Sequence, residues 1–154
     1  MASVGNDESS DCIACQPGTY VSTRGSSEAS DCIKCAVGRY STQAGRSSAS
    51  DCHRCAYGQY QGATGMTACI KCQTGRFTSP LSSPGNLSAC EPCAVGQYQG
   101  STGAHACIGC AAGQYSGVRG ADVCVECLTG FHQSRVGRGT CVMCGVGTYS
   151  PQAA

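Results

Sequence analysis

Apolar residues in this chain form no long run; they recur singly at fixed places in a short repeat. A β-branched residue usually follows the first cysteine of a Cys-x-x-Cys pair, and an aromatic residue usually stands five positions after the second cysteine. Residues of both kinds favour strands. No segment has the 3.6-residue period of an amphipathic helix. The pattern therefore predicts pairs of short extended stretches joined by turns, with little or no helix.

Two glycines recur in the repeat. The first stands three residues after the second cysteine of all eight pairs, and the second stands ten residues after it in six of seven complete loops. Glycine adopts backbone conformations that other residues avoid, so both positions are predicted to be turns. The first set is Gly18, Gly38, Gly58, Gly75, Gly96, Gly113, Gly130 and Gly147; the second is Gly25, Gly45, Gly65, Gly103, Gly120 and Gly137.

The repeat has a few exceptions. Phe131 directly follows Gly130, so that His132 occupies the position of the aromatic residue. His53 and Glu91 replace the β-branched residue that follows the first cysteine. Because these two side chains are polar, we expect their cysteine pairs to be more exposed than the others.

All sixteen cysteines belong to the repeat. They form eight Cys-x-x-Cys pairs, and first cysteines are 17 to 21 residues apart, with insertions late in the loop. We expect an array over residues 12–149, with repeats beginning near residues 12, 32, 52, 69, 90, 107, 124 and 141. Residues 1–11 and 150–154 would be tails. Repeats of this length predict a stack in which each unit contacts only its neighbours.

Composition leaves little material for a hydrophobic core. Leu, Ile, Val and Phe number 19 of 154 residues, and the chain has 22 glycines and no tryptophan. Ordering each residue costs about 1–2 kcal/mol of backbone entropy. A chain so poor in core-forming residues needs covalent or metal cross-links. The cysteines are the candidates.

Charge and hydropathy exclude some partners. The net charge is +1, from ten basic and nine acidic residues that are scattered singly along the sequence. This predicts no nucleic acid partner. No apolar run approaches the ~20 residues of a membrane span, so we expect no direct span.

The use of cysteine predicts an oxidising, extracytoplasmic location: the cell exterior, the cell surface or an organelle lumen. The opening residues lack the basic start and apolar stretch of a secretory signal. We therefore expect these residues to be a portion of a longer precursor.

Zinc is one alternative for the cysteines. Two Cys-x-x-Cys pairs about 13 to 20 residues apart match the spacing of four-cysteine zinc sites. Against zinc, the linkers between successive pairs are nearly uniform, whereas two-pair sites would constrain only alternate linkers. Lys and Arg are also sparse, and every loop repeats its glycine and aromatic residue, which is typical of a closed unit.

A thiol oxidoreductase is another alternative. Its reactive pair would stand at the start of a helix, which lowers the thiol pKa. These pairs lie instead in glycine-rich turn sequence, and no third cysteine completes an iron–sulfur motif. No catalytic grouping or phosphate loop stands out. We expect no enzyme and no cofactor.

Disulfides give the preferred interpretation, although spacing alone leaves their connectivity open. Closing each pair on itself would leave the loops unconstrained. Joining the second cysteine of one pair to the first of the next closes every loop, and a loop of ~15 residues then contributes about 3 kcal/mol. The pairs would be Cys15–Cys32, Cys35–Cys52, Cys55–Cys69, Cys72–Cys90, Cys93–Cys107, Cys110–Cys124 and Cys127–Cys141. Cys12 and Cys144 would stay unpaired or find partners at the ends.

The segments CQPGTY, CAVGRY, CAYGQY and CAVGQY, each followed by a return to Cys-x-x-Cys, resemble the cysteine-rich repeats of ephrin receptors and of related surface proteins in protists and algae. They are similar also to modules of tumour necrosis factor receptors. The resemblance covers residues 12–149 and rests on cysteine, glycine and aromatic positions. It implies an elongated extracytoplasmic rod, without catalysis, that binds proteins or spaces other domains. It also implies the ladder pairing, although the receptor modules usually carry an additional bridge that is absent here.

Three further observations concern single residues. Asn86 begins the sequence Asn-Leu-Ser, an acceptor for glycosylation in a secreted eukaryotic protein. His53, His105 and His132 are far apart in sequence and are expected on the surface rather than as metal ligands. Tyr57 is an extra aromatic residue that could contact a partner, although a structural role is the simpler interpretation.

The sequence thus predicts a small disulfide-rich rod of short β-hairpin repeats. As a function it predicts a structural spacer, adhesion segment or protein-interaction module, part of a larger protein or assembly. An accessory subunit docked on the lumenal or extracellular side of a membrane complex and a zinc-binding module are the alternatives.

Overall fold

The computed structural model describes residues 12–79 and 89–150. Within these residues the chain forms fourteen two-residue strands, paired in order as seven separate antiparallel hairpins. The strands are β1 (Thr19–Tyr20), β2 (Ile33–Lys34), β3 (Arg39–Tyr40), β4 (His53–Arg54), β5 (Gln59–Tyr60), β6 (Ile70–Lys71), β7 (Arg76–Phe77), β8 (Glu91–Pro92), β9 (Gln97–Tyr98), β10 (Ile108–Gly109), β11 (Gln114–Tyr115), β12 (Val125–Glu126), β13 (Phe131–His132) and β14 (Val142–Met143).

Each hairpin joins two successive repeats. Its first strand carries the aromatic residue of one repeat, and its second strand lies inside the Cys-x-x-Cys pair of the next. In β9 and β10, for example, Tyr98 faces Ile108 across the ladder. Aromatic and β-branched residues that face each other across antiparallel strands stabilise the pair. Four of the seven hairpins contain such a pair; in the other three, His53, Glu91 or His132 takes one of the two places.

Helix is confined, in the described part of the chain, to two 3₁₀ turns at Ala29–Asp31 and Ala49–Asp51. Each lies in a late insertion of its loop. In the second, the carboxylate of Asp51 accepts hydrogen bonds from the backbone of Ser47 and Ser48 at 3.2 and 3.0 Å. The fold class predicted from the sequence, a disulfide-rich set of short hairpins with almost no helix, is confirmed.

Glycine supplies the turns. All fourteen glycines of the two repeated positions have positive φ, between 67° and 83°, and no other residue type does so among those the structure describes. These are conformations that a side chain makes costly. The predicted turns are therefore confirmed at every copy.

Seven disulfides join the described repeats, each from the second cysteine of one pair to the first of the next. We number the segments that they close as loops: loop 1 is 15–32, loop 2 is 35–52, loop 3 is 55–69, loop 4 is 72–90, loop 5 is 93–107, loop 6 is 110–124 and loop 7 is 127–141. Bridged Cα atoms lie 5.6–5.8 Å apart. The largest fully buried side chains are almost all cysteines, so the bridges themselves form the core.

The sequence predicts that the cysteine pairs containing His53 and Glu91 are more exposed than the others, and this prediction is wrong. Cys52 and Cys90 are only 2% and 1% exposed, whereas the other bridged first cysteines are half-buried. In every described copy the residue after the first cysteine faces solvent, so its polarity does not set the burial of the cysteine. An arginine on the facing strand lies over each of these two cysteines: Arg39 donates from Nη1 to the Cys52 carbonyl at 2.7 Å, and Arg76 does the same to Cys90 at 2.8 Å.

Successive loops are joined by backbone hydrogen bonds that recur along the stack. The N–H of the first glycine donates to the carbonyl three residues after the first glycine of the next repeat, as from Gly96 to Ser116 at 2.8 Å. The N–H of the second glycine donates back to the carbonyl of the cysteine that opens the preceding loop, as from Gly120 in loop 6 to Cys93 in loop 5 at 2.8 Å. These bonds satisfy loop backbone that the short strands leave unpaired.

The expectation that each unit contacts only its neighbours is wrong. The first glycine of a loop lies against the second glycine of the loop two further along, in the pairs Gly18 with Gly65, Gly58 with Gly103, Gly75 with Gly120 and Gly96 with Gly137. A Cβ on the first glycine would overlap the carbonyl of the second. The close approach is possible because neither residue carries a side chain.

The stack remains open to solvent. No residue of the fourteen strands is fully buried; each is half-buried or exposed.

Candidate interaction surface

The predicted bridging cysteines lie in the interior of the stack. Cys35, Cys72, Cys93 and Cys110 have no exposed surface, and the structure brings all fourteen together in the seven pairs described above. Cys12 is exposed, Cys144 is half-buried, and neither is bridged. The sulfur atoms therefore hold the loops, and the loop surfaces are left to meet a partner.

One set of buried residues was missed by the sequence analysis. The residue directly after the aromatic position is polar and buried in five successive repeats: Ser41, Gln61, Thr78, Gln99 and Ser116, all 8% exposed or less. The backbone carbonyl of Ser41, Gln61, Gln99 and Ser116 accepts the hydrogen bond from the preceding loop. At Thr78 the side-chain Oγ1 accepts it instead, from the N–H of Gly58. The recurrence of Ser, Thr or Gln here is visible in the sequence and was the available signal.

Glutamine at this position forms hydrogen bonds with the rest of its own loop. In loop 5, Gln99 donates from Nε2 to the carbonyl of Ala106 at 2.8 Å and accepts at Oε1 from the N–H of Ser101 at 2.9 Å. Gln61 in loop 3 makes the same two bonds with Ala68 and Ala63. One side chain thus holds both sides of a loop that has no hydrophobic core.

The outer face of the hairpins carries half-exposed β-branched residues. Ile33, Ile70, Ile108, Val125 and Val142 are each between 48% and 54% exposed. Tyr57 projects further and is 63% exposed. Each of these five hairpins thus leaves one β-branched side chain partly open to solvent.

The other candidate residues are dispersed. His53, His105 and His132 are exposed and lie in loops 2, 5 and 7, or at their ends; the ring of His53 contacts that of Tyr40, with centroids 5.9 Å apart. Asn86 lies outside the described residues. Across residues 12–79 and 89–150, no group of three or more His, Cys, Asp or Glu side chains is placed to hold a metal ion. In the same ranges no helix could span a bilayer.

Comparison with known proteins identifies one family. A family model described as tyrosine-protein kinase ephrin type A/B receptor-like matches residues 3–52, 81–123 and 113–154. These segments cover most of the chain, and residues 53–80 lie between them. No curated protein matches the sequence.

Proposed function

Since the chain belongs to the ephrin-receptor-like family of non-catalytic cysteine-rich repeats, we propose that it is an extracytoplasmic spacer, adhesion or protein-interaction segment. It works as part of a larger protein or assembly, with protein partners or neighbouring domains. The observation that carries this proposal is the stack itself: every described loop is closed by a bridge and hydrogen-bonded to the next. Such a stack keeps whatever is attached at its two ends at a fixed distance, and it presents a continuous surface to a partner.

Location follows from the same chemistry. Bridges of this density persist in oxidising compartments and are reduced in the cytosol. The cell exterior, the cell surface and an organelle lumen all meet that condition. An accessory subunit on the lumenal or extracellular side of a membrane complex would use the stack in the same way.

We propose that residues 12–149 form the functional array and that residues 1–11 and 150–154 are tails. Limited proteolysis of the oxidised protein should remove only the tails and cut within the long loop that contains Asn86. Cleavage that separates other repeats early would contradict this division.

The bonding state is tested by intact mass with thiol alkylation, before and after reduction. We expect seven bridges and two modifiable thiols, Cys12 and Cys144, or one further bridge if these two find partners. Sixteen free thiols with chelatable zinc would establish the zinc-binding alternative instead. Reduction of insulin by the purified protein would favour an oxidoreductase.

The spacer role is tested by small-angle X-ray scattering. Eight units that each advance about 10–15 Å give a rod on the order of 100 Å long, with a radius of gyration near ~30 Å, against about 15 Å for a compact domain of this length. A radius near the compact value for the oxidised monomer would contradict the spacer role. An unchanged radius after full reduction would contradict the role of the bridges in maintaining the rod.

A further inference from the structure

We propose that the first half of the stack binds a linear sulfated polysaccharide through five cationic side chains. We call these residues the basic row: Lys34, Arg39, Arg54, Lys71 and Arg76. The row goes beyond the spacer role, since it assigns one chemical class of partner to one part of the surface.

The row occupies equivalent positions in successive hairpins. Lys34, Arg54 and Lys71 are each the residue before a second cysteine and lie on β2, β4 and β6. Arg39 and Arg76 begin β3 and β7, and Arg39 faces Arg54 directly across its hairpin. Residues that face each other across a ladder project from the same side. Arg39 and Arg54 therefore project together, and Lys34 lines one depression with Arg39. Lys71 and Arg76 stand at the equivalent positions of the next hairpins.

Lysine stems reach across loops. A Cβ built on Gly65 in loop 3 would lie 3.2 Å from Cγ and Cδ of Lys34, and one on Gly103 in loop 5 would lie 3.3 Å from Cδ of Lys71. The aliphatic part of each side chain thus packs on the glycine turn of a later loop. A lysine whose stem packs in this way keeps its charged group in solvent, where an anion can reach it.

Within residues 12–79 little negative charge offsets the row, and Asp7, Glu8 and Asp11 precede these residues in the sequence. Residues 12–79 hold seven Lys and Arg residues but only Glu28, Asp31 and Asp51 as acids. The carboxylates of Asp31 and Asp51 accept hydrogen bonds from backbone N–H groups of their own turns. The carboxylate of Glu28 accepts a hydrogen bond from the hydroxyl of Ser30 at 3.0 Å, so all three acids within residues 12–79 are engaged in their own turns.

The second half of the stack lacks this feature. Residues 89–150 hold three basic and three acidic residues. The positions equivalent to the row are occupied there by residues without positive charge: Pro92, Gln97, Gly109, Gln114, Glu126, Phe131, Met143 and Thr148. Because the same fold forms without cations at these positions, the row is not required by the scaffold.

Two opposed arginines are themselves a sign of an anionic partner. Like charges directly opposite each other in a ladder are destabilising, and Arg39 faces Arg54 with no acid to relieve them. Arg39 uses Nη1 for the Cys52 carbonyl, which leaves its Nη2 and Nε donors for a ligand. Lys34 and Arg39, with Tyr20 and Ser50, line a depression of about 510 Å³, large enough for a sugar that carries a sulfate group.

A sulfated polysaccharide fits these observations. It carries oxyanions at regular intervals along a linear chain, as the row carries cations along the stack. Guanidinium groups bind such oxyanions through paired donors. The choice of sulfate rests on the extracytoplasmic location proposed above, whereas the spacer role does not depend on the row.

The test uses the oxidised full chain, with heparin as the probe. We compare Lys34→Gln/Arg54→Gln/Lys71→Gln with the matched variant Arg119→Gln/Arg135→Gln/Arg138→Gln, which removes the same charge from the second half. The row variant should weaken heparin binding by about tenfold or more and reduce the slope of log affinity against log salt by about two to three. The matched variant should change both by far less. Equal losses in the two variants, or no binding by the unaltered chain, would overturn the proposal.

The anion is identified by competition. Desulfated heparin should fail to compete, and polyglutamate or single-stranded DNA of equal charge should compete more weakly. Competition by any of these equal to that of heparin would overturn the assignment to sulfate esters. Intact mass and scattering of each variant, measured in parallel, keep this outcome separate from the spacer role, because a variant can lose heparin and keep both bridges and length.

Discussion

Glycine occupies two physically different positions in each loop. Both have positive φ, but only the first glycine also meets a backbone carbonyl two loops away. Gly25 and Gly137, at the second position, have nothing within 4 Å of an added Cβ among the described residues. The sequence predicts the turn at both positions, because the spacing is visible. The close approach depends on the stacking of distant loops and is not visible.

Gly96→Ala and Gly130→Ala separate these two contributions. Both residues occupy the first position, with φ of 83° and 81°, so both variants lose about 1–2 kcal/mol to the left-handed backbone. The Gly96 variant also places a Cβ against the Gly137 carbonyl, whereas the described residues leave open space at Gly130. We expect Gly96→Ala to lower the free energy of unfolding by about 1–3 kcal/mol more. Urea denaturation measures the difference, and equal losses would contradict the contact.

The buried glutamines predict a second pair of variants. Gln99→Ala leaves the Ala106 carbonyl and the Ser101 N–H without their partner, which costs about 1–3 kcal/mol. Gln97, two residues earlier, is half-buried and makes no side-chain hydrogen bond within the described chain. Gln97→Ala should therefore cost less than ~0.5 kcal/mol. Hydrogen exchange at Ser101 should accelerate only in the Gln99 variant; acceleration in both would contradict this role.

At the scale of the element, the hairpin is what the sequence predicts best. The alternation of cysteine, β-branched residue and aromatic residue indicates two short strands, and the structure has them in register. Burial of the cysteine pairs was not predictable in the same way. It depends on Arg39 and Arg76, which act across the hairpin from a position thirteen or fourteen residues earlier.

The two arginines that lie over Cys52 and Cys90 predict the order in which the disulfides are reduced. A thiolate must reach the sulfur that it attacks, so buried bridges react slowly. Cys35–Cys52 and Cys72–Cys90 have both cysteines buried, whereas each of the other five bridges has a half-buried member. Partial reduction with a limiting phosphine, followed by alkylation and peptide mapping, should open these two bridges last. Arg76→Gln should advance the opening of Cys72–Cys90 alone; an unchanged order in that variant would contradict protection by arginine.

At the scale of the whole molecule, contacts that span two loops couple the stack beyond its nearest neighbours. Neither this coupling nor the uneven charge was predicted from the sequence. Coupling requires knowledge of how loops superpose. A net charge of +1 conceals the basic residues of 12–79, because it also counts a neutral second half and the acids Asp7, Glu8 and Asp11.

Removing a central bridge should therefore divide the cooperative unit, whereas removing a terminal bridge should not. Cys93→Ser/Cys107→Ser and Cys127→Ser/Cys141→Ser both open a loop with a cysteine separation of 14, so each loses about 3 kcal/mol of loop-closure entropy. Loop 5 lies between described loops on both sides, and Gly75 and Gly120 contact each other across it. We expect the central variant to unfold in two calorimetric transitions and the terminal variant in one. The same number of transitions in both variants, whether one or two, would contradict the coupling.

Because the glycine contacts recur once per period, the molecule can change in length only by whole periods. Deletion of residues 107–123 removes one complete period and lets Cys93 meet Cys124 in a loop of unchanged size, with Gly75 now opposite Gly137. Deletion of any fraction of a period would instead set a side chain against a carbonyl. Lineages can thus lengthen or shorten such a protein by whole periods at little cost in stability, so that its reach varies in discrete steps while its cross-section stays constant.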